Sequence, residues 1–230
     1  MSAEYFRTVS ALLAAAGGTN GPRAECVVGC TMRCMATLPT TPLRLHHVAY
    51  VTGDTSATVD FYSRILGMSF CAAVLDEKIP STKEPVPYFH SFFRLGDGEA
   101  LAFFEAPDLP APVVEPTPAY HTFRHLALDV QTTAEVDSWA AWIRSNGIDV
   151  IGPVDHGIIY SIYFFDPDGV RLELTCTVDP TWNQNEVGAR DSLAEWETVK
   201  THARETGADV AGALDSLAAA RSHRKNNHLN

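Results

Sequence analysis

Three polar residues, His47, His125 and Glu173, stand where a strand pattern calls for apolar ones. Two imidazoles and a carboxylate are a ligand set for a divalent metal, and three protein ligands leave coordination positions open for a substrate. His47 lies in Leu45-His-His-Val-Ala-Tyr-Val51 and His125 in Arg124-His-Leu-Ala-Leu-Asp-Val130. Glu173 lies between Leu172 and Leu174, so on a strand its side chain points away from theirs. An ionised carboxylate on the inner face of a sheet is costly unless it is paired or bound to a metal. His46 alternates with His47 and reads as structural. The set does not select its metal: it is the facial triad of Fe(II) oxygenases, and Zn(II) or Mn(II) accepts the same three ligands.

A duplication supplies the strands that position these residues. Strands are predicted over Leu45–Val51, Met68–Leu75, Tyr88–Leu95 and Ala100–Glu105. A helix over 55–66 buries Val59, Tyr62, Ile65 and Leu66 and stops at Gly67. A stiff proline-rich linker follows over 106–120. The order then repeats, with strands over Arg124–Val130, Asp149–Ile151, Tyr160–Phe165 and Val170–Cys176 and a helix over Ala134–Ser145. Superposed, His47-Val-Ala-Tyr falls on His125-Leu-Ala-Leu, and Gly98-Glu-Ala-Leu-Ala-Phe103 falls on Gly169-Val-Arg-Leu-Glu-Leu174. The first-half match to Glu173 is therefore Ala102. Glu105 falls on the opposite sheet face and reads as a solvent-side or strand-end residue. Asp166-Pro-Asp-Gly169 has the composition of a type I turn, and a simple hairpin around it sets Ile162 opposite Glu173.

The chain has 230 residues, 46% hydrophobic and 20% charged, which is enough to bury a core. With 17 Lys and Arg against 28 Asp and Glu, the formal charge of −11 disfavours nucleic-acid binding. No apolar run is long enough to span a membrane. Val9–Ala16 resembles a short export signal but lacks the preceding positive charge, and five irregularly spaced cysteines argue against a disulfide framework. The expectation is a soluble, cytoplasmic protein. Residues 1–42 read as a poorly ordered extension. In it Cys26, Cys30 and Cys34 share a helical face without a zinc spacing. Residues 179–230 read as a tail with helices over 191–205 and 208–221.

Between about 43 and 178 the chain resembles the vicinal oxygen chelate superfamily of glyoxalase I, fosfomycin and bleomycin resistance proteins and type I extradiol dioxygenases. The resemblance rests on Leu45-His-His-Val-Ala, Asp60-Phe-Tyr-Ser-Arg-Ile-Leu-Gly-Met68, Arg124-His-Leu-Ala-Leu and Phe165-Asp-Pro-Asp-Gly-Val-Arg-Leu-Glu-Leu174. It implies an α+β fold of two βαβββ modules (43–108 and 121–178) forming a half-open barrel around a metal, with the C-terminal helices added. The family's ligands fall on His47, His125 and Glu173. Glyoxalase I enzymes use a second glutamate where this chain has Ala102. A longer extradiol pattern is present: His156, then Ile162-Tyr163, the Asp166-Pro-Asp-Gly169 turn and Glu173. By that resemblance His156 and Tyr163 are catalytic, hydrogen-bonding the substrate or the opened ring. The extradiol acid–base histidine has no counterpart in Glu99–Phe104; His90 and His121 lie elsewhere and read as surface or structural.

The first functional expectation is therefore an Fe(II) extradiol-type dioxygenase acting on a catechol-like aromatic and O2. Tyr88, Phe92, Phe103, Tyr160 and Tyr163 are the aromatics expected near its pocket. The alternatives are a non-oxidative isomerase, lyase or transferase on the same metal centre, and a binding protein that sequesters a small molecule. Unpaired module edges point to a homodimer, and the linker permits modules to exchange between subunits.

Overall fold

The computed structural model describes residues 41–107, 109 and 118–228. The Val9–Ala16 segment, the cysteine triplet and most of the linker lie outside the described residues. The first module runs β1 (His47–Val51), α1 (Thr55–Asp60, continuing as a π-helical turn Phe61–Ile65), β2 (Ser69–Asp76), β3 (Tyr88–Arg94) and β4 (Ala100–Glu105). A short helix α2 (Pro118–Phe123) leads into the second module: β5 (Leu126–Asp129), α3 (Thr133–Ser145), β6 (Ile151–Asp155), β7 (Ile159–Phe165) and β8 (Arg171–Thr177). Each module is its own four-stranded sheet, in the orders β1-β4-β3-β2 and β5-β8-β7-β6. The first strand of each runs parallel to the last and the other pairs are antiparallel. Neither sheet closes into a barrel.

The two helices begin and end by the same chemistry, as a duplication requires. Asp54 accepts hydrogen bonds from the backbone N–H groups of Ser56 and Ala57 at the start of α1. Thr132 and Glu135 form a reciprocal capping box at the start of α3. Gly67 and Gly147 follow in the left-handed region, which ends a helix at least cost. The π-helical turn, with Leu66 N–H donating to the Phe61 carbonyl, is not visible in a 3.6-residue period.

Both helices cover one face of their own sheet, and the two modules share a core that includes Tyr62, Phe93, Phe103, Ile143, Ile162, Phe164 and Leu172. Phe103 and Tyr160 correct the expected pocket aromatics. Phe103 is fully buried on the helix-covered face, and Tyr160 donates from its hydroxyl to Asp137 on α3. Strand alternation sends both away from Tyr163's face. The modules are joined at their helix ends, where the Trp142 indole donates to the Ile65 carbonyl at 2.8 Å and Tyr62 donates to Asp166 at 2.9 Å.

That buried Tyr62–Asp166 bond makes a stability prediction. Burial first, and the Asp166 charge second, raise the Tyr62 phenol well above 10.0. Tyr62→Phe strips the donor from a buried carboxylate oxygen and lowers unfolding free energy by about 1–3 kcal/mol. The native state keeps the phenolic proton while the unfolded chain loses it, so stability falls as pH rises through about 10. Urea titrations at neutral and alkaline pH are expected to show the loss at neutral pH and a shallower alkaline decline in the variant. An unchanged neutral midpoint contradicts this role.

Residues Glu186–Thr206 (α4) and Val210–His228 (α5) form a helical pair, tied by Arg221, which contacts Glu195 and donates to the Ser192 hydroxyl at 2.9 Å. The first helix starts before the expected 191 because Asn185 caps it through the Gly188 N–H. Among the described residues, no helix is long and apolar enough to cross a membrane.

Candidate metal centre

The faces not covered by helices present the chemistry. On the second sheet, β8 sets Glu173 between β5 and β7, level with Ala127 on one side and Tyr163 on the other. This pairing overturns the simple hairpin expectation of Ile162 opposite Glu173. The loop holds five residues rather than four, since Asp166 accepts from the N–H groups of both Asp168 and Val170 and pairs its own N–H with the Val170 carbonyl. One added loop residue shifts the register by one and brings Tyr163 onto the open face.

Four expected residues meet there. The Glu173 carboxylate is 2% exposed. Its Oε1 accepts from the Tyr163 hydroxyl at 2.9 Å, and its Oε2 lies 2.9 Å from His125 Nε2. His156 Nε2 is 2.9 Å from the Tyr163 oxygen. Since the phenolic proton goes to Glu173, the neutral arrangement has His156 donating to Tyr163. Burial, and then the bond to Glu173 and its charge, raise the Tyr163 phenol above its ordinary value, so it stays a donor at neutral pH. Two donor atoms bound about 2.1 Å from one ion at right angles stand about 3 Å apart. The His125–Glu173 spacing fits a shared divalent metal, with Tyr163 fixing the carboxylate oxygen turned away from it.

His47 is not brought to this cluster. It lies on the open face of the first sheet, edge-on to Phe92, with Nδ1 2.8 Å from Nδ1 of His46. Among the described residues no three His, Cys, Asp or Glu side chains come close enough to hold an ion. One chain therefore offers two of the three expected ligands on its second module and the third on its first. His46, read as pointing to the other face, precedes β1 and is free of its alternation. By engaging His47 Nδ1 it leaves Nε2 as the nitrogen that could serve as a ligand.

Ala102 is fully buried and level with Phe92, so the first module has no second carboxylate there. Glu105, on the opposite face as expected, accepts from the Thr55 N–H at 2.7 Å. His90 stacks on Phe104 at 3.6 Å and His121 on Phe165 at 4.8 Å. Sequence reasoning missed Arg171, whose guanidinium carbon stands 4.3 Å from the centre of the Tyr163 ring. Its signal was present: two residues before Glu173 on a strand is the same face. His125, His156, Tyr163 and Arg171, with Phe123 and Ile151, line a cavity of about 330 Å³.

The model of the glyoxalase/bleomycin resistance protein/dioxygenase superfamily matches residues 44–174. The chain is 28% identical to the metallothiol transferase FosB of Staphylococcus saprophyticus over 132 residues, 56% of this chain and 74% of that protein. It is 30% identical to lactoylglutathione lyase of Escherichia coli over 143 residues, 57% of this chain and 91% of that one. A solved glyoxalase/dioxygenase structure from Nostoc punctiforme, 28% identical, covers 61% of this chain and 99% of its own, with a TM-score of 0.43. The chain belongs to the glyoxalase/bleomycin resistance protein/dioxygenase superfamily.

Proposed function

We propose that the protein is a homodimeric, divalent-metal-dependent enzyme of non-oxidative type, a transferase or lyase acting on a small molecule with two adjacent oxygens. The observation behind this reading is the divided ligand set: His125 and Glu173 meet, while His47 occupies the matching strand of the other module. A two-fold partner supplies the missing ligand to each site reciprocally, as an isologous dimer does. The metal would be held by His47 of one subunit and by His125 and Glu173 of the other; when bound, it polarises substrate oxygen and stabilises developing negative charge.

The remaining groups have assignable tasks. Tyr163 orients Glu173 and offers a hydroxyl that remains protonated at neutral pH. His156 holds a proton at Nε2, beside the Tyr163 oxygen. Phe123 and Ile151 give the cavity two apolar walls. The non-oxidative choice rests on the named relatives, a metallothiol transferase and a lactoylglutathione lyase, and on β4, which has no histidine. These relatives favour the alternative over the ring-cleaving expectation. Ala102 narrows that alternative to chemistry that does not need a second glutamate.

The His156–Tyr163 contact keeps a second reading in play, because it joins the two residues of the extradiol pattern. One set of assays separates them. Protein loaded with Mn(II), Zn(II) or Fe(II) is expected to consume a thiol with epoxides that carry an adjacent oxyanion, and the metal-free protein is not. Catechol-dependent oxygen uptake with a yellow product, and no thiol consumption, would reverse the order.

A further inference from the structure

Arg171 is a cation held against two uncharged groups beside the candidate metal centre. It lies on the open face of β8, two residues from Glu173, which is about 6.6 Å along a strand. Its guanidinium lies over the Tyr163 ring, and Nη1 donates to the Thr122 carbonyl. Both partners are neutral, although acids outnumber bases 28 to 17 in this chain. Nε is buried and has no hydrogen-bond partner among the described residues. The Nε–Nη2 edge is the side of a guanidinium that grips a carboxylate with two parallel bonds, and the ring and the carbonyl fix its plane. The same guanidinium lines the cavity shared by His125, His156 and Tyr163.

We propose that Arg171 is a specificity-determining residue that receives a carboxylate on the substrate. The substrate class is then a small organic acid with two adjacent oxygens at one end and a separate carboxylate a few bonds away. This deepens the function proposed above and rests on the metal being held at Glu173. A chain with a formal charge of −11 repels anions at long range, so selection for an anion has to come from a fixed local cation.

Malate and lactate test the idea, since both present a hydroxyl beside a carboxylate and malate adds a second carboxylate. Calorimetric titration of each into the Mn(II)-loaded full-length protein is expected to show malate binding at least about tenfold tighter. Arg171→Gln should erase that preference, and Arg171→Lys, which keeps charge and stem but loses the fork, should retain part of it. Metal content is measured on the same samples and is expected to be equal across the variants. Equal affinities in the wild type, or a preference that survives Arg171→Gln, overturns the proposal. Phosphorus NMR of methylphosphonate with metal-free protein reads Arg171 independently of the metal. Line broadening abolished by Arg171→Gln supports the anion role even if no metal binds, and identical broadening in both proteins overturns it.

Discussion

Glu173→Ala is expected to remove divalent metal from the protein, raising the dissociation constant more than about 100-fold. Losing a residue that merely orients a ligand costs 10–100-fold, so losing a charged ligand costs more. Glu173 is almost fully buried and is gripped by Tyr163 on one oxygen and approached by His125 on the other. Removing it leaves His125 as the one proposed ligand on this module, in a pocket whose remaining charge is the Arg171 cation. Thermal unfolding reads this directly. At a metal concentration about 100 times its dissociation constant, the wild type gains about 2.7 kcal/mol of stability. The variant should gain less than about 0.4 kcal/mol. An equal metal-dependent stabilisation in Glu173→Ala excludes this carboxylate as a ligand.

His47→Ala is expected to cost as much metal, although His47 contacts neither His125 nor Glu173 of its own chain. Its effect on the metal-free protein should be small. His47 is exposed at the start of β1, and substitutions at such positions usually change stability by less than about 0.5 kcal/mol. The combination of an intact metal-free fold and lost metal distinguishes a ligand donated across an interface from a residue that shapes its own module. If His47→Ala kept full metal occupancy, the site would be completed by some other group.

Repetition singled out the candidate site in the sequence. A histidine at the same place on two matching strands, and a carboxylate flanked by leucines, marked His47, His125 and Glu173 as candidate ligands, of which the structure brings His125 and Glu173 together. Period-2 alternation then settled which face each one shares. Three features escaped it, for physical reasons. The register of Tyr163 depends on Asp166 holding two backbone N–H groups and so enlarging the loop, which turn composition does not reveal. The π-helical turn after Asp60 breaks the helical period that sequence reading assumes. The separation of His47 from His125 and Glu173 is a matter of how modules associate, and strand patterns encode faces, not partners. The ring-cleaving expectation failed to find support for a related reason. Its pattern describes a hydrogen-bonded His156–Tyr163–Glu173 chain, and such a chain serves any reaction that needs an oriented carboxylate and a nearby proton.

Co-expression of His47→Ala and Glu173→Ala chains with different affinity tags, followed by metal analysis, tests the shared site most directly. Alone, each variant should hold no metal. A heterodimer has one site lacking both residues and one site with His47, His125 and Glu173 all intact. Random assortment makes about half the dimers mixed, so the co-expressed pool should hold about a quarter of the wild-type metal. Doubly tagged dimers isolated from that pool should hold about one ion each. Doubly tagged dimers without metal would contradict the account and return all three ligands to a single chain.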